Sequence, residues 1–157
     1  MHDEFLRQDL LEFLQKGPAH VSLIQALSDI KPANRFLRPN ESLHSIWELL
    51  EHMRLAQEDI LRYTIDENWI SPKWPEGYWP PPNSPASEQK WENTLSGFYS
   101  DLNEVIALVK NKSLDLTAKI AHAQEHSYLR EILLIIDHNA YHLGQILYLR
   151  KMLGDWK

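Results

Sequence analysis

The sequence predicts an all-α protein, a four-helix bundle with a tryptophan- and proline-rich crossover loop. Two observations indicate it. Apolar residues recur at three- and four-residue intervals through several long segments, as one face of a helix requires. Proline and glycine punctuate the chain between these segments, and no β-hairpin signal is present. Helices with a single apolar stripe bury it against one another, so a bundle follows.

The first third of the chain predicts short helical pieces. We expect a helix over residues 3–16 that ends at Gly17, and a second helical piece over 18–30. The residue pattern leaves open whether they form one kinked helix or two short ones. Pro32 and Pro39 then bracket a connector.

Three longer helices are expected after the connector. The first runs to about Thr64 and is capped by Ser42 or Asn40, which can accept hydrogen bonds from the first free backbone N–H groups. The second covers about 88–110 and the third about 127–153.

Residues 69–86 interrupt this helical pattern with six prolines and three tryptophans. So many prolines exclude a helix over most of the segment. Three tryptophans have more apolar surface than a flexible, solvent-exposed linker would leave in contact with water. We therefore expect an ordered crossover loop packed across the bundle, and the sequence leaves open whether it also shapes a pocket mouth.

Composition limits the class of protein. A chain of 157 residues with 43% hydrophobic residues is expected to form one domain over residues 1–157. Its net charge of −6 argues against nucleic-acid binding. No apolar run approaches the roughly 20 residues of a membrane helix, and no secretory signal is visible, so we expect a cytoplasmic protein. The absence of cysteine restricts any metal ligands to histidine, aspartate or glutamate.

The most informative feature is a pair of histidines, His138 and His142, inside the most hydrophobic helix. A spacing of four residues places both imidazoles on one face, with Cβ atoms roughly 5–6 Å apart. Burying them is costly unless each ring nitrogen has a partner. A metal ion would supply one partner for each ring, and a nearby acceptor the other. A hydrogen-bonded core pair is the alternative.

A catalytic metal site needs a third ligand, and the helix before the loop offers His44 and His52. Eight residues separate them by about 12 Å along the axis, so they cannot share one ion. We expect His44 in the first turn near solvent. His52 lies in the middle of its helix, where bundles place inward-facing ligands, although it could lie at the edge of the apolar stripe. We therefore predict a metal site of His52, His138 and His142 with open coordination positions. The other histidines, His2, His20, His122 and His126, are assigned to surface or loop positions.

Residues 137–146, Asp-His-Asn-Ala-Tyr-His-Leu-Gly-Gln-Ile, resemble the signature of the DinB-like (DinB/YfiT-like) superfamily of metalloenzymes. Residues 45–53 are similar to the segment that carries the first metal histidine of that family, after a tryptophan. The resemblance covers nearly the whole chain. It implies a four-helix bundle and a divalent metal ion bound by three histidines, which correspond to His52, His138 and His142. Zinc or nickel is expected, and a homodimer is implied because relatives often pair through bundle faces.

Two further residues are candidates for catalysis. Gln145 returns to the face of His142 and is expected to bind a ligand or a bound water, or else to be a polar spacer. Glu48 precedes His52 by one turn and is expected to be a general base, or else a solvated charge.

Two classes of function stay open. The first is a metal-dependent enzyme acting on a small-molecule substrate, either a hydrolase or a transferase that uses a low-molecular-weight thiol as cosubstrate, as characterised relatives do. The second is a metal-dependent binding or stress-response protein without turnover. A purely structural metal is a third possibility, which a fourth protein ligand on the ion would support.

Overall fold

The computed structural model describes residues 2–81 and 84–156. Four long helices dominate it: α1 (His2–Gln15), α4 (Ile46–Ile65), α5 (Glu88–Lys110) and α6 (Tyr128–Met152). Shorter elements connect them: α2 (Leu23–Leu27), α3 (Pro32–Arg35), a 3₁₀ turn (Glu76–Tyr78), β1 (Lys119–Ile120) and β2 (Ala123–Ser127). The predicted four-helix bundle is confirmed.

Packing between the long helices arranges them around one core. α4 packs against α5 and α6, and α1 packs against the same two helices, which places α1 and α4 at opposite corners. The largest fully buried side chains of the long helices come from α4, α5 and α6 and include Ile46, Leu50, Met53, Trp91, Phe98, Leu143 and Ile146. Burying each such side chain contributes on the order of 1.5–3 kcal/mol relative to leaving it in water. The core therefore fixes which face of α4 and α6 points inward.

Serine residues start three of the four long helices. Ser45, Ser87 and Ser127 are the N-caps of α4, α5 and α6, and each side chain accepts a hydrogen bond from the backbone N–H three residues on. The predicted cap of α4 at Ser42 or Asn40 was therefore wrong. The chain enters the helix later because Ser45 and Glu48 form a reciprocal capping box there.

Of the two alternatives left open for residues 3–30, the structure has two short helices and not one kinked helix. The second helix, α2, is capped by Ser22 and covers only five of residues 18–30. Gly17, with a φ of 60°, ends the first helix as expected. In addition, β1 and β2 form an antiparallel hairpin that the sequence did not predict. Its turn has no glycine or asparagine, and the buried Leu116 and Ile120 anchor it instead.

The tryptophan- and proline-rich loop packs against α4, as predicted. We call residues 66–81 the strap. Gly77 makes its compact turn possible, because a Cβ atom there would lie 2.5 Å from the side chain of Pro72. Ile70 and Trp74 project from it into solvent. Within residues 2–81 and 84–156, none of the helices has the length and hydropathy of a membrane-spanning segment.

Candidate metal centre

Three histidine rings from two helices meet inside the bundle. His52 projects from α4, and His138 and His142 project from α6. One ring nitrogen of each lies within 4.8 Å of those of the other two. The ring centroids form a nearly equilateral triangle, 4.9 Å for the pair of His52 and His138 and 4.6 Å for the other two pairs. His52 is 3% exposed and His142 is 7% exposed, so the cluster is largely shielded from water.

A hydrogen-bond chain next to the cluster holds the helices in register. The side-chain amide of Asn139 donates to Oε1 of Gln57 at 2.9 Å, and Gln57 donates to the backbone oxygen of Phe98 at 2.8 Å. These bonds join α6 to α4 and α4 to α5. Because Asn139 is the neighbour of His138, the chain also fixes the rotation of α6 that turns both of its histidines inward.

Two of the rings have their second nitrogen engaged outside the cluster. Nδ1 of His52 donates to the backbone oxygen of Tyr78 at 2.7 Å, and Nδ1 of His142 donates to Oε1 of Gln145 at 3.1 Å. A carbonyl oxygen only accepts, so each Nδ1 carries the hydrogen when the ring is neutral. The Nε2 atoms of both rings are then left with a lone pair. This is the arrangement in which histidine ligands are usually held.

The donor set fits a divalent cation such as zinc. On a tetrahedral ion with bonds of about 2.0–2.1 Å, two nitrogen ligands lie about 3.3–3.4 Å apart. The Nε2 atoms of His52 and His138 are 3.1 Å apart, close to that value. The same distance also permits Nε2–H of His138 to donate to His52, which is the hydrogen-bonded alternative from the sequence. Both arrangements need neutral rings facing one another, and they differ in whether Nε2 of His138 carries a hydrogen or a lone pair.

Burial keeps all three imidazoles in their neutral form. Burial, together with the neighbouring rings of His142 and His52, lowers the pKa of His138 to about 4. Burial is also the main cause that lowers the pKa of His52 and of His142, against hydrogen bonds to Tyr78 and Gln145 that raise it. Near neutral pH the cluster therefore presents lone pairs, the form that binds a metal ion.

Trp79 of the strap covers one face of His52. The two rings stack with centroids 4.0 Å apart and an interplanar angle of 2°. On its other face Trp79 stacks on His44, with centroids 4.1 Å apart. His44 is exposed, as expected, but it lies before the N-cap Ser45 and not in the first turn of α4. Trp79 therefore separates His44 from His52, and the sequence predicted neither stack.

The two catalytic candidates have other partners. Glu48 accepts a hydrogen bond from the backbone N–H of Ser45 at 2.7 Å, and its carboxylate also pairs with Arg38. Burial would raise the pKa of Glu48, but the hydrogen bonds from Arg38 and Ser45 outweigh it and lower the pKa. Its expected role as a general base stays a prediction that these contacts do not support. Gln145 binds the ring of His142, which makes it an orienting group for that histidine.

Asp59 is a residue near the cluster that sequence reasoning missed. Its two carboxylate oxygens accept hydrogen bonds from Nε1 of Trp69 at 2.7 Å and from the hydroxyl of Tyr78 at 2.6 Å. A signal was present, since Asp59 follows His52 by seven residues and so lies on the same face of α4. The partners could not be predicted, because the path of the strap is not encoded in any periodic pattern.

The remaining histidines lie elsewhere. His20 and His122 are exposed, as expected. His126 lies in β2, half-buried, beside Tyr63 and Glu131. The side chain of His2 is outside the described residues.

Together, the helices and the buried rings define a class of protein, a four-helix bundle with a three-histidine cluster between two of its helices. Residues 19–146 match the DinB superfamily, and the chain belongs to that family. The match contains all three histidines of the cluster. Comparisons with curated proteins and with solved structures found no match.

Proposed function

We propose that His52, His138 and His142 bind one divalent metal ion, zinc or nickel, and that the protein is a metal-dependent enzyme for a small-molecule substrate. The observation that carries this proposal is the convergence of three neutral imidazoles, two buried and one half-buried, two of which have Nδ1 turned away to a carbonyl acceptor. Burying three rings in this way is costly unless the inward nitrogens have a partner, and a cation would supply it to all three at once.

Each neighbour of the cluster has a defined part in this proposal. The backbone oxygen of Tyr78 and the side chain of Gln145 orient two of the ligand rings, and Trp79 excludes water from one face of His52. A metal ion with three protein ligands supplies a Lewis acid with a position for substrate, which can polarise a carbonyl group or lower the pKa of a bound thiol or water.

The surroundings of the cluster favour transfer of a low-molecular-weight thiol over hydrolysis. Among the described residues, no carboxylate joins the three histidines, and Glu48 is occupied by Ser45 and Arg38. For hydrolysis, the metal ion would have to lower the pKa of a bound water from about 15.7 to about 7, with no carboxylate base beside it to assist. A thiol has an ordinary pKa of about 8.5, much closer to neutral, so polarisation by a metal ion is enough to ionise it.

A metal-dependent binding or stress-response protein without turnover is the second candidate. The same absence of a carboxylate at the cluster, within the ranges that the structure covers, supports it. A structural metal is less well supported, since such sites usually have four protein ligands and the cluster has three.

The proposal is tested by elemental analysis of protein purified without an affinity tag. We expect about one ion per chain in the wild type and loss of the ion in His138→Ala. His20→Ala, which removes an exposed histidine away from the cluster, is the matched control and should keep the ion. Equal metal content in wild type and His138→Ala would remove the metal site.

A screen with several cellular thiols and electrophilic acceptors then separates the two candidates. Metal-dependent consumption of one thiol supports the transferase. Binding of ligands without turnover supports the second candidate.

A further inference from the structure

The strap is fastened to α4 at a single carboxylate. Asp59, 9% exposed, accepts one hydrogen bond from Trp69 near the start of the strap and one from Tyr78 near its end. Burial raises the pKa of Tyr78 to about 12, together with the hydrogen bond and the charge of Asp59, so its hydroxyl keeps its proton and donates. Both ends of the ten-residue segment 69–78 are thus hydrogen-bonded to the side chain of Asp59.

From this anchor, two consecutive strap residues reach His52. The backbone oxygen of Tyr78 accepts the hydrogen of Nδ1, and the indole of Trp79 stacks flat on the ring. The first contact lies at the ring edge and fixes which nitrogen carries the hydrogen. The second lies on the ring face and blocks rotation about the bond to Cβ. His52 is therefore oriented by the strap, while α4 supplies only its attachment point.

We propose that Asp59 is a positioning residue for His52, and that it acts through Tyr78, so that docking of the strap and metal binding at the histidine cluster are thermodynamically coupled. This inference rests on the metal site proposed above. If the docked strap favours metal binding, linkage requires that the bound metal favours the docked strap by the same factor. Metal affinity and strap release are then two measurements of one coupling.

Tyr78→Phe is the sharpest variant, because it removes only the hydroxyl and leaves the backbone oxygen and the aromatic ring. Losing a partner behind a ligand histidine typically weakens metal binding by about 10–100-fold, and an indirect loss belongs at the low end, about tenfold. Asp59→Leu removes both anchors and should weaken zinc binding more. Tyr63→Phe makes the same chemical change at a hydroxyl that contacts His126, and should leave the dissociation constant for zinc unchanged.

Strap release is measured independently by limited trypsin digestion. Lys73 is the single lysine or arginine in residues 66–81, and it is exposed. In the wild type, we expect zinc to slow cleavage at Lys73 relative to chelator-treated protein. In Tyr78→Phe, cleavage should be faster at the same zinc concentration, with unchanged helical circular dichroism. In Asp59→Leu, zinc should protect Lys73 little or not at all.

The outcomes separate this inference from the proposed function. If the wild type binds zinc and His138→Ala does not, while Tyr78→Phe and Asp59→Leu bind it like the wild type, the coupling is wrong and the metal site stands. Cleavage at Lys73 that does not depend on zinc in the wild type would overturn it as well. If the wild type binds no zinc, both proposals fail. Should Asp59→Leu not fold, Tyr78→Phe alone decides.

Discussion

Ring nitrogens decide the chemistry of the histidine cluster, because only a neutral imidazole offers a lone pair to a cation. In water a histidine has a pKa of about 6.5 and is partly protonated at neutral pH. Burial inside the bundle is the main cause that lowers the pKa of each ring. The pKa of His138 falls to about 4. The folded protein therefore keeps the three rings in the neutral form that a cation would need.

The lowered pKa values predict how the stability of the metal-free protein depends on pH. The unfolded chain takes up protons below about pH 6.5, whereas folded His138 takes one up only near pH 4. Unfolding is then favoured as the pH falls through this window, so stability is full above about pH 6.5 and is lost toward pH 4. Chelator-treated protein should show a falling melting temperature between these values. His138→Gln cannot titrate and should show a shallower fall. An equally steep fall in that variant would contradict the assignment.

Among individual residues, those whose environment is set by their position in a helix could be assigned from the sequence. His52 could be selected because its mid-helix position predicts an inward side chain. Glu48 was expected to be a base because it lies one turn before His52, yet Ser45 stands three residues earlier, and this spacing is also the signature of a capping box. Asp59, Tyr78 and Trp79 could not be assigned, since their contacts depend on where the strap lies.

Among the secondary-structure elements, α4 carries His52 on its inner face. Side-chain hydrogen bonds stabilise the first turn of this helix. Ser45 accepts from the backbone N–H of Glu48, and Glu48 accepts from the backbone N–H of Ser45. The same serine cap begins α5 and α6. Helix starts were therefore encoded locally. The hairpin of β1 and β2 was not, because buried side chains hold it in place of turn residues.

The capping role predicts a stability effect without a metal effect. Ser45→Ala should lower the free energy of unfolding by about 1 kcal/mol, because the N–H of Glu48 loses its acceptor at the helix start. Urea unfolding of metal-free protein measures it. Glu48→Gln can still accept at the backbone of Ser45, so its loss should be smaller. Both variants should bind zinc like the wild type. Loss of thiol-transfer activity in Glu48→Gln, with metal binding intact, would instead restore Glu48 as a catalytic base.

At the scale of the whole molecule, the cluster joins two helices that are distant in the sequence. His52 lies 86 residues before His138, on the neighbouring corner of the bundle. The sequence encoded the four helices through their apolar periodicity, and it encoded the pair on α6 through its spacing. The meeting of α4 and α6 depends on packing across the entire core. The homodimer implied by the resemblance stays a prediction, and α6 leaves Tyr141 and Tyr148 exposed on its outer face.

An ion held between α4 and α6 should stabilise the bundle as a unit, because both helices must be in place for it to bind. Zinc at a free concentration 100 times its dissociation constant should add about 2.7 kcal/mol to the free energy of unfolding. For a chain of this size, that raises the melting temperature by about 5–10 °C. Thermal unfolding with and without zinc measures the shift, and in His138→Ala it should disappear. A rise of the same size in that variant would place the bound zinc outside the cluster. If zinc does not raise the melting temperature of the wild type, the three rings form a hydrogen-bonded cluster that binds no ion.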